Sequence, residues 1–340
     1  MVVISQSPVD NVIIGVVAIV FLIFVSDKVI GKLIMLSKRL GISQIFIGLT
    51  VIAIGTSLPE ITTGVVASLD IIRGGIDPFI ASSTVLGTNI GSDIVQQSLI
   101  IGVVGLLAVT RLKAIRVRRD FLKTEGLVMI MAAILLLLFA MDGGISRVEG
   151  SVLFFGYIVF LWFLWMKENV RIHDHKKVKL DGSDKKNIFI DLFYVLVGLT
   201  IIIFSAEYIL RVAEFFVIGY GVGGSLIGIL AIGIATALPE LTTSITAILK
   251  GASSISIGTL IGSNITNPMF ALGLGAMISS YQVPRPVIVY DIPVKIATAI
   301  LLMWFLWRNR MFTRKEAVTM ITIYFVYVLV RLKYFAVDVL

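Results

Sequence analysis

Stretches of about twenty or more mostly apolar residues follow one another along this chain, separated by short charged or Gly/Pro-rich breaks. As a helix, such a stretch is long enough to cross the hydrocarbon of a bilayer, where only helices and closed barrels satisfy every backbone group. Ten candidates lie near residues 11–36, 43–67, 79–108, 122–141, 149–166, 188–217, 224–249, 254–279, 288–307 and 315–335. With 58% of 340 residues hydrophobic and 15% charged, no sizeable soluble domain fits between them. The opening segment MVVISQSPVD carries no Lys or Arg, and the apolar run after it exceeds a signal-peptide core, so it reads as a retained span. The sequence contains no cysteine, which excludes disulfides and thiolate metal sites, and its two histidines, His173 and His175, sit in a charged connector.

The charges sort by connector. Basic residues near span ends resist translocation, and 21 of the 29 Lys and Arg fall in the connectors between spans 1 and 2, 3 and 4, 5 and 6, 7 and 8, and 9 and 10. The opposite face receives Arg73, Arg147, Arg211, Arg285 and, past the last span, Arg331 and Lys333; Lys28 and Lys295 lie within spans. Both termini are therefore expected outside. The net charge of +8 is consumed by this alternation, which leaves no basic surface for nucleic acid and makes the lipid bilayer the expected partner.

An internal repeat gives the plan. IGLTVIAIGTSLPEITT (47–63) matches IGILAIGIATALPELTT (227–243) at ten of 17 positions, at an offset of 180. GTNIGSDIVQ (87–96) matches GTLIGSNITN (258–267) at six of ten, at an offset of 171. Two homologous halves of five spans each must be oppositely oriented, because an odd number of crossings inverts equivalent positions. The expected fold is thus an all-α membrane protein of ten transmembrane helices in two inverted five-helix repeats, a plan in which the binding site lies near the midplane. The first repeat occupies residues 1–167, a cytoplasmic linker 168–187, and the second repeat 188–340.

Ionisable groups within hydrocarbon cost about 2.5–3.5 kcal/mol each on insertion scales, so they mark function. The acidic residues read as lying deep in apolar spans are Asp27, Glu60, Asp93, Glu207 and Glu240. Glu60 and Glu240 are related by the repeat and end the same motif, Thr-x-Leu-Pro-Glu. Pro59 and Pro239 deprive the carbonyls around Gly55 and Ala235 of helical partners. Thr56 lies four residues from Glu60, and Thr236 four from Glu240, spacing that puts each pair on one helix face. Carboxylate, hydroxyl and freed carbonyl are all oxygen donors, as Ca²⁺ and Na⁺ require. Ser92 with Gln96, and Ser263 with Asn267, each form a polar stripe that supplies a facing wall. Gly87, Gly91, Gly258 and Gly262 are expected to let these helices approach their neighbours closely. Asp27 and Glu207 occupy the first span of each half, as ion-pair or gate residues, with Lys28 or Arg211 as nearby partners.

GTSLPE followed by GTNIGSD, and ATALPE followed by GSNITNP, resemble the two repeats of the sodium/calcium exchanger family, within the calcium/cation antiporters. The resemblance covers most of the chain and implies the compact prokaryotic type, without large regulatory domains. It implies electrogenic exchange of Na⁺ for Ca²⁺, no cofactor and no catalysis. It implies Glu60, Glu240, Thr56 and Thr236 as Ca²⁺ ligands, with Ser57, Ser92, Ser263, Gln96, Asn267 and the carbonyls of Ala53 and Gly233 completing the remaining cation sites. This chain departs from the family pattern at Ala237, where Ser is usual, and at Gln96 and Asn267, where Asp or Asn is usual; it adds Asp93 beside Ser92. A Ca²⁺ antiporter in the cell membrane, driven by Na⁺ and working by alternating access, is the expected function, with a proton-driven exchanger as the alternative. On this expectation Asp93 joins the metal site, its protonation offsetting the unequal charge of the two cargoes. An intramembrane enzyme lacks a nucleophile and base here, and a channel is disfavoured by the inverted plan.

Overall fold

The computed structural model describes residues 8–112, 119–174, 188–202, 204, 224–309 and 312–338. Glu207 and Arg211 lie outside them, as do His175 and most of the expected linker. Nearly everything described is helical. The helices are α1 (Pro8–Leu40), α2 (Gln44–Thr56) and α3 (Leu58–Ile72), α4 (Pro78–Thr110), α5 (Arg119–Ala140), α6 (Arg147–Asp174) and α7 (Ile188–Ile202). The second half continues with α8 (224–236), α9 (Leu238–Leu249), α10 (253–279), α11 (Val287–Arg308) and α12 (Arg314–Tyr334). A short antiparallel ribbon pairs β1 (Gly144–Ile145) with β2 (Tyr281–Gln282).

Among the described residues five helices, α4, α5, α6, α11 and α12, are long and apolar enough to cross a membrane, or seven spans if each bent pair counts as one. The bent pairs are α2 with α3, at 44°, and α8 with α9, at 41°. Local sequence explains the helix starts. Asp77 accepts from the backbone N–H groups of Phe79 and Ile80, with Pro78 in the first turn of α4. Thr313 and Glu316 form a reciprocal capping box on α12, and Ser146 and Glu149 make the same exchange on α6.

Helix α6 runs through the first seven residues of the expected linker, so His173 falls in its last turn. This extension carries Glu168 to the start of α2, where its carboxylate accepts from the backbone N–H and hydroxyl of Ser43 at 2.6 and 2.8 Å.

Wide π turns interrupt the helices at matching places in the two halves: Gly48–Ile52 and Gly228–Ile232, Val95–Ile100 and Asn267–Ala271, Leu122–Gly126 and Val287–Asp291. The packing is reciprocal as well. Helix α4 of the first half lies on α8 of the second, while α10 lies on α2. Glycine makes these crossings close: a Cβ at Gly91 would stand 2.6 Å from the Ile229 Cα, and one at Gly262 2.8 Å from the Leu49 Cα. Gly87 meets the Ser225 backbone and Gly258 the Ile45 carbonyl in the same way. Most buried apolar residues form one core. A smaller cluster joins α1 and α7 to the ends of α2 and α9 through Val29, Ile30, Leu33, Val195, Leu199 and Ala247.

Candidate cation site

The two helix breaks build the centre. Ser57 leaves helical geometry at φ −83°, ψ 4°, and Ala237 nearly repeats it at φ −79°, ψ −3°. Pro59 and Pro239 occupy the first turns of α3 and α9, where a missing N–H costs nothing, and the carbonyl four residues upstream is left without its usual donor. Glu60 and Glu240 sit in those same first turns, where the positive end of the helix favours a carboxylate, and both are fully buried.

The break changes which groups pair. Thr56 ends α2 while Glu60 begins α3, so the face expected to unite them is split. Instead Thr56 stands beside Glu240, and Thr236 beside Glu60, each hydroxyl facing the carboxylate of the other half. The Thr56 hydroxyl donates to the Ile52 carbonyl at 3.0 Å, so it presents lone pairs, not a proton, to the centre. The carbonyls of Ala53 and Gly233 accept from the N–H groups of Ser57 and Ala237 at 3.0 and 3.2 Å, and each also lies within reach of a threonine hydroxyl, Thr56 at 3.5 Å and Thr236 at 3.4 Å.

Helices α4 and α10 face the two glutamates. Ser92 donates to Glu60 Oε1 at 2.9 Å and Ser263 to Glu240 Oε1 at 3.3 Å. Gln96 Nε2 donates back to the Ser92 hydroxyl at 3.1 Å. Behind it a buried chain of donors continues through Asn264, Gln97 and Thr298, so that α4, α10 and α11 are tied to Glu60. Asn267 turns its Nδ2 to Asp93 Oδ1 at 2.9 Å, and Asp93 Oδ2 is held by the ammonium of Lys295.

Eleven buried side-chain polar atoms lack a hydrogen-bond partner among the described residues, and four of them belong to this centre: Ser57 Oγ, Glu60 Oε2, Glu240 Oε2 and Asn267 Oδ1. Buried polar atoms are rarely left unpaired. All four are oxygens, two of them carboxylate, and oxygen is the donor type a hard cation takes.

A profile of the family described as sodium/calcium exchanger protein matches residues 11–166 and 190–333. The chain belongs to the sodium/calcium exchanger family. It is 28% identical to the sodium/calcium exchanger MaX1 of Methanosarcina acetivorans, over 94% of this chain and 98% of the relative. It is 30% identical to the putative antiporter CaxA of Alkalimonas amylolytica, over 77% and 79% of the two chains. In fold it is similar to solved structures of the sodium-calcium exchanger NCX_Mj, one with a TM-score of 0.77 at 23% identity, over 95% of this chain and 99% of that one. A multi-pass, all-α membrane protein follows.

Within this member of the family some expectations are corrected. Asp27 is half exposed and pairs with Lys250 at 2.9 Å rather than with Lys28. Arg331, expected beyond the last span, is fully buried in α12 and bonds Asp291 at 3.0 Å. Asp93 is not a free carboxylate beside Ser92, because Lys295 and Asn267 engage both of its oxygens. Lys295, Gln97, Asn264 and Thr298 were given no role by sequence reasoning. A lone lysine and a lone aspartate in two apolar spans was the available signal for the first.

Proposed function

We propose that the chain is a secondary active antiporter that exchanges Na⁺ for Ca²⁺ across the cell membrane by alternating access, with both ions taking turns at the Glu60 and Glu240 centre. The observation that carries this reading is the set of unpaired buried oxygens on Ser57, Glu60, Glu240 and Asn267. Thr56, Thr236, Ser92, Ser263, Gln96 and the Ala53 and Gly233 carbonyls complete an oxygen-only lining around them. No group of three or more Asp, Glu, His or Cys suited to a metal occurs among the described residues. Two carboxylates balance one Ca²⁺, and so small a charge count suits an ion that must leave again.

The reciprocal glycine crossings, the paired π turns and the cross-half Thr–Glu pairs support ten spans in two inverted repeats, divided at 1–167, 168–187 and 188–340. Lys32 and Arg39 bond Asp191, Lys167 bonds Glu125, Glu168 bonds Ser43, and Lys250 bonds Asp27. All but the last, which reaches Asp27 within α1, join the ends of connectors expected on one membrane face, which supports both termini outside. The separate α1 and α7 cluster, whose Leu199 lies against Gly55 at the α2 break, supports these two as the gating helices that slide past a stationary centre.

Buried Ala237 removes a hydroxyl from the Na⁺ lining and favours a proton as the competing driving ion. Uptake of ⁴⁵Ca²⁺ by proteoliposomes separates the two. An outward Na⁺ gradient should drive it, and uptake that responds only to a proton gradient refutes Na⁺ coupling.

A further inference from the structure

Helix α1 passes into α2 through only three residues, Gly41, Ile42 and Ser43. Gly41 ends α1 in the left-handed conformation, at φ 67°, and Ser43 is extended, at φ −68° and ψ 140°, as the cap of α2. Every polar group of Ser43 is engaged. Its N–H donates to Glu168 Oε1 at 2.6 Å and its hydroxyl to Oε2 at 2.8 Å, while its hydroxyl and carbonyl oxygens accept from the N–H groups of Phe46 and Ile47. A carboxylate bonded in this way at the positive end of a helix makes a strong, charge-assisted contact.

The joint separates two bodies. Helix α1 belongs with α7, through the smaller apolar cluster and through Lys32 and Arg39, which both bond Asp191, at 2.5 and 2.7 Å. Glu168 belongs to α6, which lies along α10 so closely that a Cβ at Gly273 would stand 2.8 Å from the Phe154 nitrogen. Tyr157 of α6 stacks on Phe270 of α10, with ring centres 5.4 Å apart, and its hydroxyl bonds that of Thr266 at 2.9 Å. Helix α10 carries Ser263 and Asn267. The start of α2 is therefore fastened, through α6, to the helix that supplies the other wall of the cation centre. The second half holds a like contact, although the serines do not align at the offset of 180. The N–H of Ser225, at the start of α8, donates to Asp338 Oδ2 at 2.8 Å and its hydroxyl to Oδ1, with Asp338 just past α12, the last helix of that half.

We propose that Glu168 is a positioning residue that pins the start of α2 to the α6 and α10 body, so that displacement of α1 is taken up at Gly41 and Ile42 and does not reach Ala53 and Thr56. The inference rests on the antiport reading, with α1 and α7 as the moving pair. Helix α2 runs without a break from Gln44 to Thr56, so an axial shift at Ser43 would be delivered to the side of Glu240. Releasing the pin leaves the resting centre assembled by its close crossings, but makes each stroke of α1 pull on it.

The test uses the full chain, which has no native cysteine and so takes spin labels at chosen positions alone. Labels at Gln44→Cys with Val170→Cys report the pinned contact, and labels at Met35→Cys with Val170→Cys report α1; Met35 and Val170 are both exposed. Between Na⁺-loaded and Ca²⁺-loaded proteoliposomes the first distance is expected to stay fixed and the second to change. Glu168→Ala is expected to bind ⁴⁵Ca²⁺ with wild-type affinity and, per Ca²⁺-binding chain, to take it up roughly tenfold more slowly under a Na⁺ gradient, as the loss of hydrogen bonds to a charged group implies. Glu168→Gln keeps an oxygen for the Ser43 N–H and is expected to recover most of the rate. A Glu168→Ala protein that exchanges at the wild-type rate overturns the proposal, as does one that loses binding in step with exchange, or a Gln44–Val170 distance that changes with the ion. If Glu168→Ala does not fold, the two distances, read with Glu168 in place, still decide. Wild-type protein that takes up no Ca²⁺ under a Na⁺ gradient refutes the antiport reading itself, whatever the distances show.

Discussion

Replacing Gly262 by alanine sets two physical effects against each other. In a helix interior Gly→Ala ordinarily stabilises by about 1 kcal/mol, because the unfolded chain loses freedom and the helix gains propensity. Here the added methyl would stand 2.7 Å from the Ala53 Cβ and 2.8 Å from the Leu49 Cα and carbonyl oxygen. Ordinary contacts begin at 3.4 Å, so α10 must retreat from α2 by about 0.7 Å. Both neighbours are backbone or Cβ and cannot rotate away. Overpacking of this kind costs about 1–3 kcal/mol, which outweighs the propensity gain and reverses the sign. The retreat also separates Ser263 and Asn267 from Thr56, the two walls of the cation centre. Gly262→Ala should therefore unfold at lower temperature in detergent and bind ⁴⁵Ca²⁺ roughly tenfold more weakly, about 1.4 kcal/mol. Gly75→Ala, where the nearest atom is 3.7 Å from the new methyl, serves as the control and should leave both unchanged. A Gly262→Ala protein that is more stable than wild type, with full Ca²⁺ affinity, refutes the close-crossing argument.

Other consequences follow from the same geometry. Gly91→Ala, the symmetry mate, should repeat the loss at the crossing with Ile229, and a change in one half only would contradict a reciprocal centre. Ala237→Ser places a hydroxyl at the position matching Ser57; if Na⁺ drives transport, half-maximal Ca²⁺ uptake should need less Na⁺, as read from the Na⁺ dependence of flux. Arg331→Met leaves Asp291 buried with Tyr327, at 2.9 Å, as its one side-chain donor among the described residues, and should destabilise by about 3–5 kcal/mol, measured by thermal unfolding.

Much of the centre was legible because its signals are local. Proline in the motif reports the helix break, glycines report the crossings, and the repeat of Glu60 at Glu240 reports that two halves meet. What spacing alone misplaced were the consequences of the break. Thr56 and Glu60 are four apart in the chain, but the 44° bend between α2 and α3 hands each threonine to the opposite glutamate. The polar partners of α11 were illegible for a different reason. Lys295 and Asp93 are 202 residues apart, and no periodicity links positions that meet only through tertiary packing. Arg331 was misassigned because a basic residue near the end of the last span reads as a charge on the outer face, whereas its side chain turns into the protein and bonds buried Asp291.

On the proposed reading, one buried pair of carboxylates holds both transported ions in turn. Equilibrium binding of ⁴⁵Ca²⁺ to the purified protein, titrated with Na⁺, tests it most directly. One Ca²⁺ per chain is expected, displaced by Na⁺, with no binding in Glu60→Gln or Glu240→Gln proteins that remain folded. Ca²⁺ binding that survives both substitutions, or that Na⁺ does not displace, would contradict it.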